Sequence, residues 1–228
     1  MGHAEKGRRP GCFLQFAKAP RAGAVKTRLH GQLAPAAAAE VARALTCRVA
    51  AALRAIPAGW DAALCVDDTA DAFLQELAAR EGRALRAQGE GDLGARMWRA
   101  VDAALTDYRA VVVVGSDCPG YDAAYLARAA MALERGCDAV LGPALDGGYV
   151  LVGFTRLPPD VFAGVAWSTG EVLAQQRGRF EALGLSREEL PVRADIDRPQ
   201  DLWRLDAEDQ ALVIGRLSPQ ARLWPLRS

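Results

Sequence analysis

Three groups of residues in this 228-residue chain have the types and spacing for chemistry on a phosphorylated ligand. The first is a lone carboxylate, Asp117, in the stretch VVVVGSDCP (111–119). Four consecutive valines have no helical period and strong β-propensity, so they read as a central strand buried on both faces. The strand stops at Gly115, and Pro119 stiffens the loop that follows. This places Asp117 at the carboxyl end of a buried parallel strand, where open α/β sheets bind ligands. There it can hold a divalent metal against a phosphate, or it can cap the helix expected from about Asp122. The second group is Asp195 and Asp197 in ADIDRPQDL (194–202). In an extended segment, residues two apart face the same side. They read either as a further metal ligand, Asp197, opposite Asp117, or as a cap before the helix that Pro199 opens. Magnesium takes oxygen ligands from one or two carboxylates plus substrate phosphates, which Asp117 and Asp197 would supply.

The third group is a loop of four cations, Lys18, Arg21, Lys26 and Arg28, in KAPRAGAVKTR (18–28). Lysine supplies a point charge and arginine a bidentate fork for phosphate, while Gly23 lets backbone N–H groups come close. The loop is not a P-loop, because it lacks G-x-x-x-x-G-K-[ST]. The alternative is a solvated basic loop.

Three further motifs each carry a chemical and a structural reading. In QGEGDLGARM (88–97), Gln88, Gly91, Asp92 and Gly94 precede a helix whose free N–H groups suit an anion or a nucleobase edge. Asp92 is equally a good N-cap. In ALDGGYVLVGF (144–154), Asp146 and Gly147 form a strong hairpin signal. The two glycines, Gly147 and Gly148, also leave room for a ligand whose hydroxyls Asp146 can bind. In WSTGE (167–171), Ser168 and Glu171 have capping-box spacing, and Trp167 is either a hydrophobic staple or a platform for a sugar ring.

The elements that position these residues follow from pattern. Strands are expected at 12–17, 60–66, 84–88, 138–141, 149–154 and 190–193, besides the valine strand. Helices are expected at 35–55, 71–80, 93–105, 122–134 and 169–183, with another after Pro199. Alternating strand and helix implies a mostly parallel sheet with helices on both faces. Residues 1–10 read as a flexible N-terminus, 11–209 as one nucleotide-binding domain, and 210–228 as a tail that the pattern assigns to no element.

Composition narrows the function. The formal net charge is zero and the sequence pI is about 6.7, which argues against bulk binding to nucleic acid or an anionic membrane. No apolar run is long enough to span a membrane. Five scattered cysteines with no C-x-x-C indicate reduced thiols in a cytoplasm. Two histidines, His3 and His30, leave little for His-based triads or metal sites.

FAKAPRAGAVKTRL, QGEGDLGARM, VVGSDCPG, LGPALDGGYVLVGF, WST and DIDRPQDL stand here in order. Over about residues 12–205 the chain resembles the bacterial glycosyltransferase-A-like family, some of whose members are linked to arsenosugar biosynthesis. It is similar at greater distance to phospholactate guanylyltransferase and the molybdenum-cofactor nucleotidyltransferases. The resemblance implies a single-domain Rossmann-like sheet of the glycosyltransferase-A type, a nucleotide diphosphate ligand and a divalent ion, Mg2+ or Mn2+. Lys26 and Arg28 match the family's basic loop, Asp117 its metal aspartate, Asp146, Gly147 and Gly148 its D-G-G, and Asp197 its terminal D-x-D-x-P-x-D-L. Asp117 stands in S-D-C-P, unlike the D-x-D of many sugar transferases. The expected activity is metal-dependent transfer from a nucleotide sugar to a small-molecule acceptor, with Asp146 and Lys26 catalytic and Trp167 at the substrate. The alternative is a nucleotidyltransferase that releases pyrophosphate from an NTP.

Overall fold

The computed structural model describes residues 7–30 and 33–204. Of the expected flexible N-terminus at 1–10, residues 1–6 fall outside the described residues, while Arg9 and Pro10 already belong to a strand. The expected tail at 210–228 falls outside them entirely. Seven strands form one sheet in the order β3-β2-β1-β4-β6-β5-β7. They are β1 (Arg9–Ala17), β2 (Trp60–Val66), β3 (Ala84–Ala87), β4 (Tyr108–Gly115), β5 (Ala139–Pro143), β6 (Tyr149–Phe154) and β7 (Arg187–Glu189). The helices are α1 (Pro35–Ala52), α2 (Ala72–Arg80), α3 (Leu93–Leu105), α4 (Ala123–Glu134) and α5 (Val172–Ala182). Strands β3, β2, β1 and β4 pair in parallel, as do β5 and β7. Only β6 is reversed, lying antiparallel to both β4 and β5. The chain is thus a single-domain, mostly parallel α/β sheet, as the alternation predicts.

The valine strand shows why. Successive strand side chains leave opposite faces of a sheet, so an all-apolar strand needs cover on both sides. Val112 and Val114, with Phe13 of β1, pack under Val49 of α1 and Leu126 of α4. Val111 and Val113, with Leu14 and Phe16, pack on the other face with Met97 and Val101 of α3 and Phe180 of α5. Each such buried side chain contributes about 1.5–3 kcal/mol. Leu74 and Leu77 attach α2 to Leu64 and Val66 of β2 and to Cys47 and Ala50 of α1. The starts of α2, α3 and α4 are capped by Asp71, Asp92 and Asp122, whose side chains accept from Leu74, Ala95 and Tyr125 N–H.

Two local expectations change. The last strand is not 190–193 but 187–189, read poorly from sequence because Arg-Glu-Glu is wholly polar. It is the sheet edge, where charged residues discourage further pairing. Leu190 N–H still bonds Leu141 O, but Pro191 has no N–H and breaks the ladder. The chain then touches the sheet again at an isolated bridge from Arg193 to Ala144.

The capping box at Ser168 and Glu171 does not form. Ser168 has φ 65°, and Glu171 is itself the N-cap of α5 without a side-chain bond. Tertiary contact explains the difference. Leu173 N–H, in the first turn of α5, donates to Gly147 O of the D-G-G loop. Thr169 Oγ1 meanwhile donates to Ala166 O at 2.7 Å and closes the preceding turn locally.

Candidate functional site

The basic loop follows β1, the Asp117 loop follows β4 and the D-G-G loop follows β5, so parallel topology brings all three to one sheet end. They line a cleft of about 620 Å³ that includes Lys18, Lys26, Asp117, Asp146, Asp195 and Asp197. That volume suits a small-molecule ligand.

Lys26 is the hub. Its side chain is 4% exposed, and its ammonium lies 2.7 Å from Asp117 Oδ1. It also donates to Ile196 O, between Asp195 and Asp197. Ile196 N–H in turn donates to Asp117 O at 2.9 Å, which locks the two acidic segments together. Arg28 pairs with Asp197. Arg21 instead pairs with Asp68, and its side chain is not part of the cleft lining. Gly23 (φ 84°) shapes the turn without its own atoms lining the cleft.

Asp117 does not cap α4, a role Asp122 fills; it is 54% exposed in the cleft. A buried network holds the end of its strand. Ser116 Oγ donates to Phe16 O, and Gln15 Nε2 donates to Ser116 Oγ and to Thr46 O of α1. Gln15 is fully buried, and among the described residues its Oε1 has no partner. Sequence reasoning passed over Gln15, although a glutamine inside an apolar strand is itself a signal. Asp201 was missed too. It is buried, and its Oδ2 accepts from Asp197 and Arg198 N–H, which shapes the turn that carries Asp195 and Asp197.

In the D-G-G loop, Asp146 Oδ1 accepts from Gly148 N–H at 2.9 Å, a local turn that leaves Asp146 exposed toward the cleft. Gly147 has φ 88°, and a Cβ there would lie 2.1 Å from Gly170 O. The glycine therefore lets this loop close against Gly170, and residues 168–170 line the cleft beside it.

The Gly-rich turn before α3 divides. Gln88 lines the cleft, buried, with its amide donating to Ala17 O and Cys65 O. Asp92 caps α3. Gly91 O accepts from Arg96, which reaches the cleft together with Leu93, while Gly91, Asp92 and Gly94 do not line it. Gly94 lies under Trp167: a Cβ there would come 2.9 Å from the indole. Trp167 is half-buried between Tyr149 and Phe162, at ring distances of 6.4 and 6.0 Å, and its remaining surface lines the cleft. Packing and a ligand platform are thus both open to it.

Asp195 carries the clearest electrostatic signature. Burial first, then the charge of Asp146, with Asp117 and Asp197 adding, push its carboxyl up to about 6. Among the described residues, no three histidine, cysteine or acidic side chains converge closely enough to hold an ion unaided. A magnesium-type ion does not need that, since one or two carboxylates suffice when phosphates supply the other oxygens. An excess of negative charge at Asp195, beside Asp117 at the strand end, fits such an ion.

The comparisons agree with this architecture. A family model described as an uncharacterized protein conserved in bacteria (DUF2064) matches residues 49–169. No curated protein matches the chain. A solved structure from Desulfovibrio desulfuricans G20, described as a nucleotide-diphospho-sugar transferase, is 30% identical, with TM-score 0.79 over 90% of this chain and 94% of that one. A cytidylyltransferase from Leptospira borgpetersenii shares the fold at 13% identity and TM-score 0.57, over 91% of this chain and 92% of that one. So does glucosyl-3-phosphoglycerate synthase from Mycobacterium tuberculosis, solved with Mg2+ and UDP, at 14% identity and TM-score 0.52, over 94% and 81%. The chain therefore belongs to the bacterial family DUF2064, on a fold that it shares with nucleotide-sugar and nucleotidyl transferases.

Proposed function

We propose that the protein is a metal-dependent transferase that moves a sugar from a nucleotide-sugar donor to a small-molecule acceptor. The observation that carries this reading is the mixed charge of one cleft: Lys18 and Lys26 line it together with Asp117, Asp146 and Asp195, with the Lys26 ammonium against Asp117. Cations suit a diphosphate, and carboxylates suit a metal ion and sugar hydroxyls. The D. desulfuricans relative supports the substrate class by its description, and the Mg2+ and UDP of the M. tuberculosis synthase support the metal by analogy of fold.

In this reading Asp117 and the Asp195–Asp197 segment hold the ion, and when bound the ion neutralises charge on the diphosphate. Lys26, with Lys18, stabilises the charge that develops on the departing nucleoside diphosphate. Trp167 supports the sugar, and Gly147 and Gly148 leave room for it. An acceptor hydroxyl oxygen bonds to the anomeric carbon as the bond from that carbon to the phosphate oxygen breaks. Asp146 orients the attacking hydroxyl and receives its proton.

Nucleotidyl transfer is the second reading, favoured by the cation count of residues 18–28 and by the cytidylyltransferase neighbour. Three of those four cations are less available than the count suggests, since Arg21, Lys26 and Arg28 pair with Asp68, Asp117 and Asp197. A carboxylate at Asp146 also repels a departing pyrophosphate.

Product analysis decides between them. A panel of nucleotide sugars with magnesium is expected to give slow nucleoside diphosphate release that Asp146→Ala reduces. Pyrophosphate release from an NTP and a small phosphorylated acid, dependent on Asp117 and Lys26, would reverse the assignment.

A further inference from the structure

Lys26 is held in an unusual way for a residue meant only to attract phosphate. Its backbone is left-handed, at φ 49° and ψ 38°, a conformation that a long side chain adopts at a cost and that clusters at functional sites. Its ammonium is drawn out of solvent and placed between the two acidic segments, 2.7 Å from Asp117 Oδ1 and bonded to Ile196 O. A lysine ammonium is a compact point charge with three donors and no fixed fork, so among side chains it comes closest to a small cation.

We infer that the Lys26 ammonium holds the cation position of the nucleotide-free cleft, so that a divalent ion reaches Asp117 only when nucleotide phosphates have drawn Lys26 away; this rests on the metal-dependent reading above. The energetics follow from burial. A divalent ion that binds Asp117 alone must displace a buried ammonium and leave it with Ile196 O but no counter-ion, beside a second positive centre, which is strongly unfavourable. When a diphosphate enters from the Lys18 side, the ammonium exchanges a carboxylate oxygen for phosphate oxygens and keeps a charge-assisted bond. Asp117, already 54% exposed, then faces the ion. Metal and nucleotide binding are in this way coupled, and linkage requires each to strengthen the other by the same factor, typically 5- to 150-fold.

The test is a titration of the full chain with Mn2+, reading free ion by electron paramagnetic resonance, alone and with each of four nucleoside diphosphates. Wild type is expected to bind Mn2+ weakly alone and on the order of 10- to 100-fold more tightly with the matching diphosphate. Lys26→Gln should bind Mn2+ alone at least tenfold more tightly than wild type, and the diphosphate should then add little. Lys26→Arg keeps the charge and should keep nucleotide-free binding weak; melting curves of both variants check folding. If wild type shows the coupling but Lys26→Gln binds Mn2+ alone no better, Lys26 is a structural counter-ion. The inference then fails, while the metal-dependent reading stands. If no protein binds Mn2+ under any condition, the metal-dependent reading itself fails and takes the inference with it.

Discussion

Gly147 and Gly23 form a matched pair that tests how the cleft is closed. Both have left-handed backbones, with φ 88° and 84°. A Cβ on Gly23 meets nothing within 4 Å, whereas a Cβ on Gly147 would sit 2.1 Å from Gly170 O and 2.9 Å from its carbonyl carbon. Gly23→Ala therefore bears only the conformational cost of a side chain in that region, about 1 kcal/mol. Gly147→Ala bears the same cost and must also open a backbone contact that no rotamer can relieve. That movement strains or breaks the bond from Leu173 N–H to Gly147 O, worth about 1 kcal/mol more. With residual strain, the total is roughly 2–4 kcal/mol. A domain of this size loses about 2–4 °C in Tm per kcal/mol. Gly23→Ala should thus melt roughly 2–4 °C below wild type and Gly147→Ala roughly 5–15 °C below. Because Asp146 and residues 168–170 shift together, Gly147→Ala should also weaken nucleotide-sugar binding by about tenfold or more. Calorimetry and thermal melts read both quantities. Equal melting losses in the two variants would show that the D-G-G loop does not close on Gly170, and would remove the basis for placing Asp146 in the cleft wall.

Other residues yield sharper single tests. Asp117→Asn should keep the fold, since an amide oxygen still accepts from Lys26 and Ile196 O holds the ammonium as well, but lose magnesium-dependent nucleotide affinity in calorimetry; unchanged affinity would refute its metal role. Lys26→Ala should weaken nucleoside diphosphates roughly ten- to a hundredfold and bare nucleosides little, and equal losses would mean that Lys26 does not touch phosphate. Burial and the charge of Asp146 push the Asp195 carboxyl up to about 6 from its ordinary 3.8, so ionising it costs stability that is absent below about pH 4, grows between pH 4 and 6 and is fully felt above. Asp195→Asn should therefore raise the Tm of chelator-treated protein at pH 8 and leave it near wild type at pH 4; no gain at pH 8 would show that Asp195 is not crowded by its neighbours.

Much of the frame was legible because the signals are local. The unperiodic valines could only be a doubly covered strand, and Asp-Gly between apolar runs marked the β5–β6 turn. Asp92 capped the helix its position suggested. The positions of Asp117, Asp146 and the basic loop followed at one remove, since parallel topology puts every such loop at the same sheet end. What stayed hidden depends on residues distant in the chain. Ser168 and Glu171 have capping spacing, but α5 receives its first-turn partner from Gly147, 26 positions before Leu173. Strand β7 is polar because it is an edge, and edges are defined by what does not pair with them.

The sequence by itself determined which residues can do chemistry and at which end of the sheet they gather, because residue type, hydrophobic period and turn residues act over a few neighbours. Tertiary structure alone decided how the charges are matched. Arg21 left the cleft for Asp68, Arg28 took Asp197, and Lys26 went to Asp117 across 91 positions of chain. Asp195 was left to face three other carboxylates. Coulomb energy depends on separation and on exclusion of water, and neither is fixed until the core has closed behind the loops.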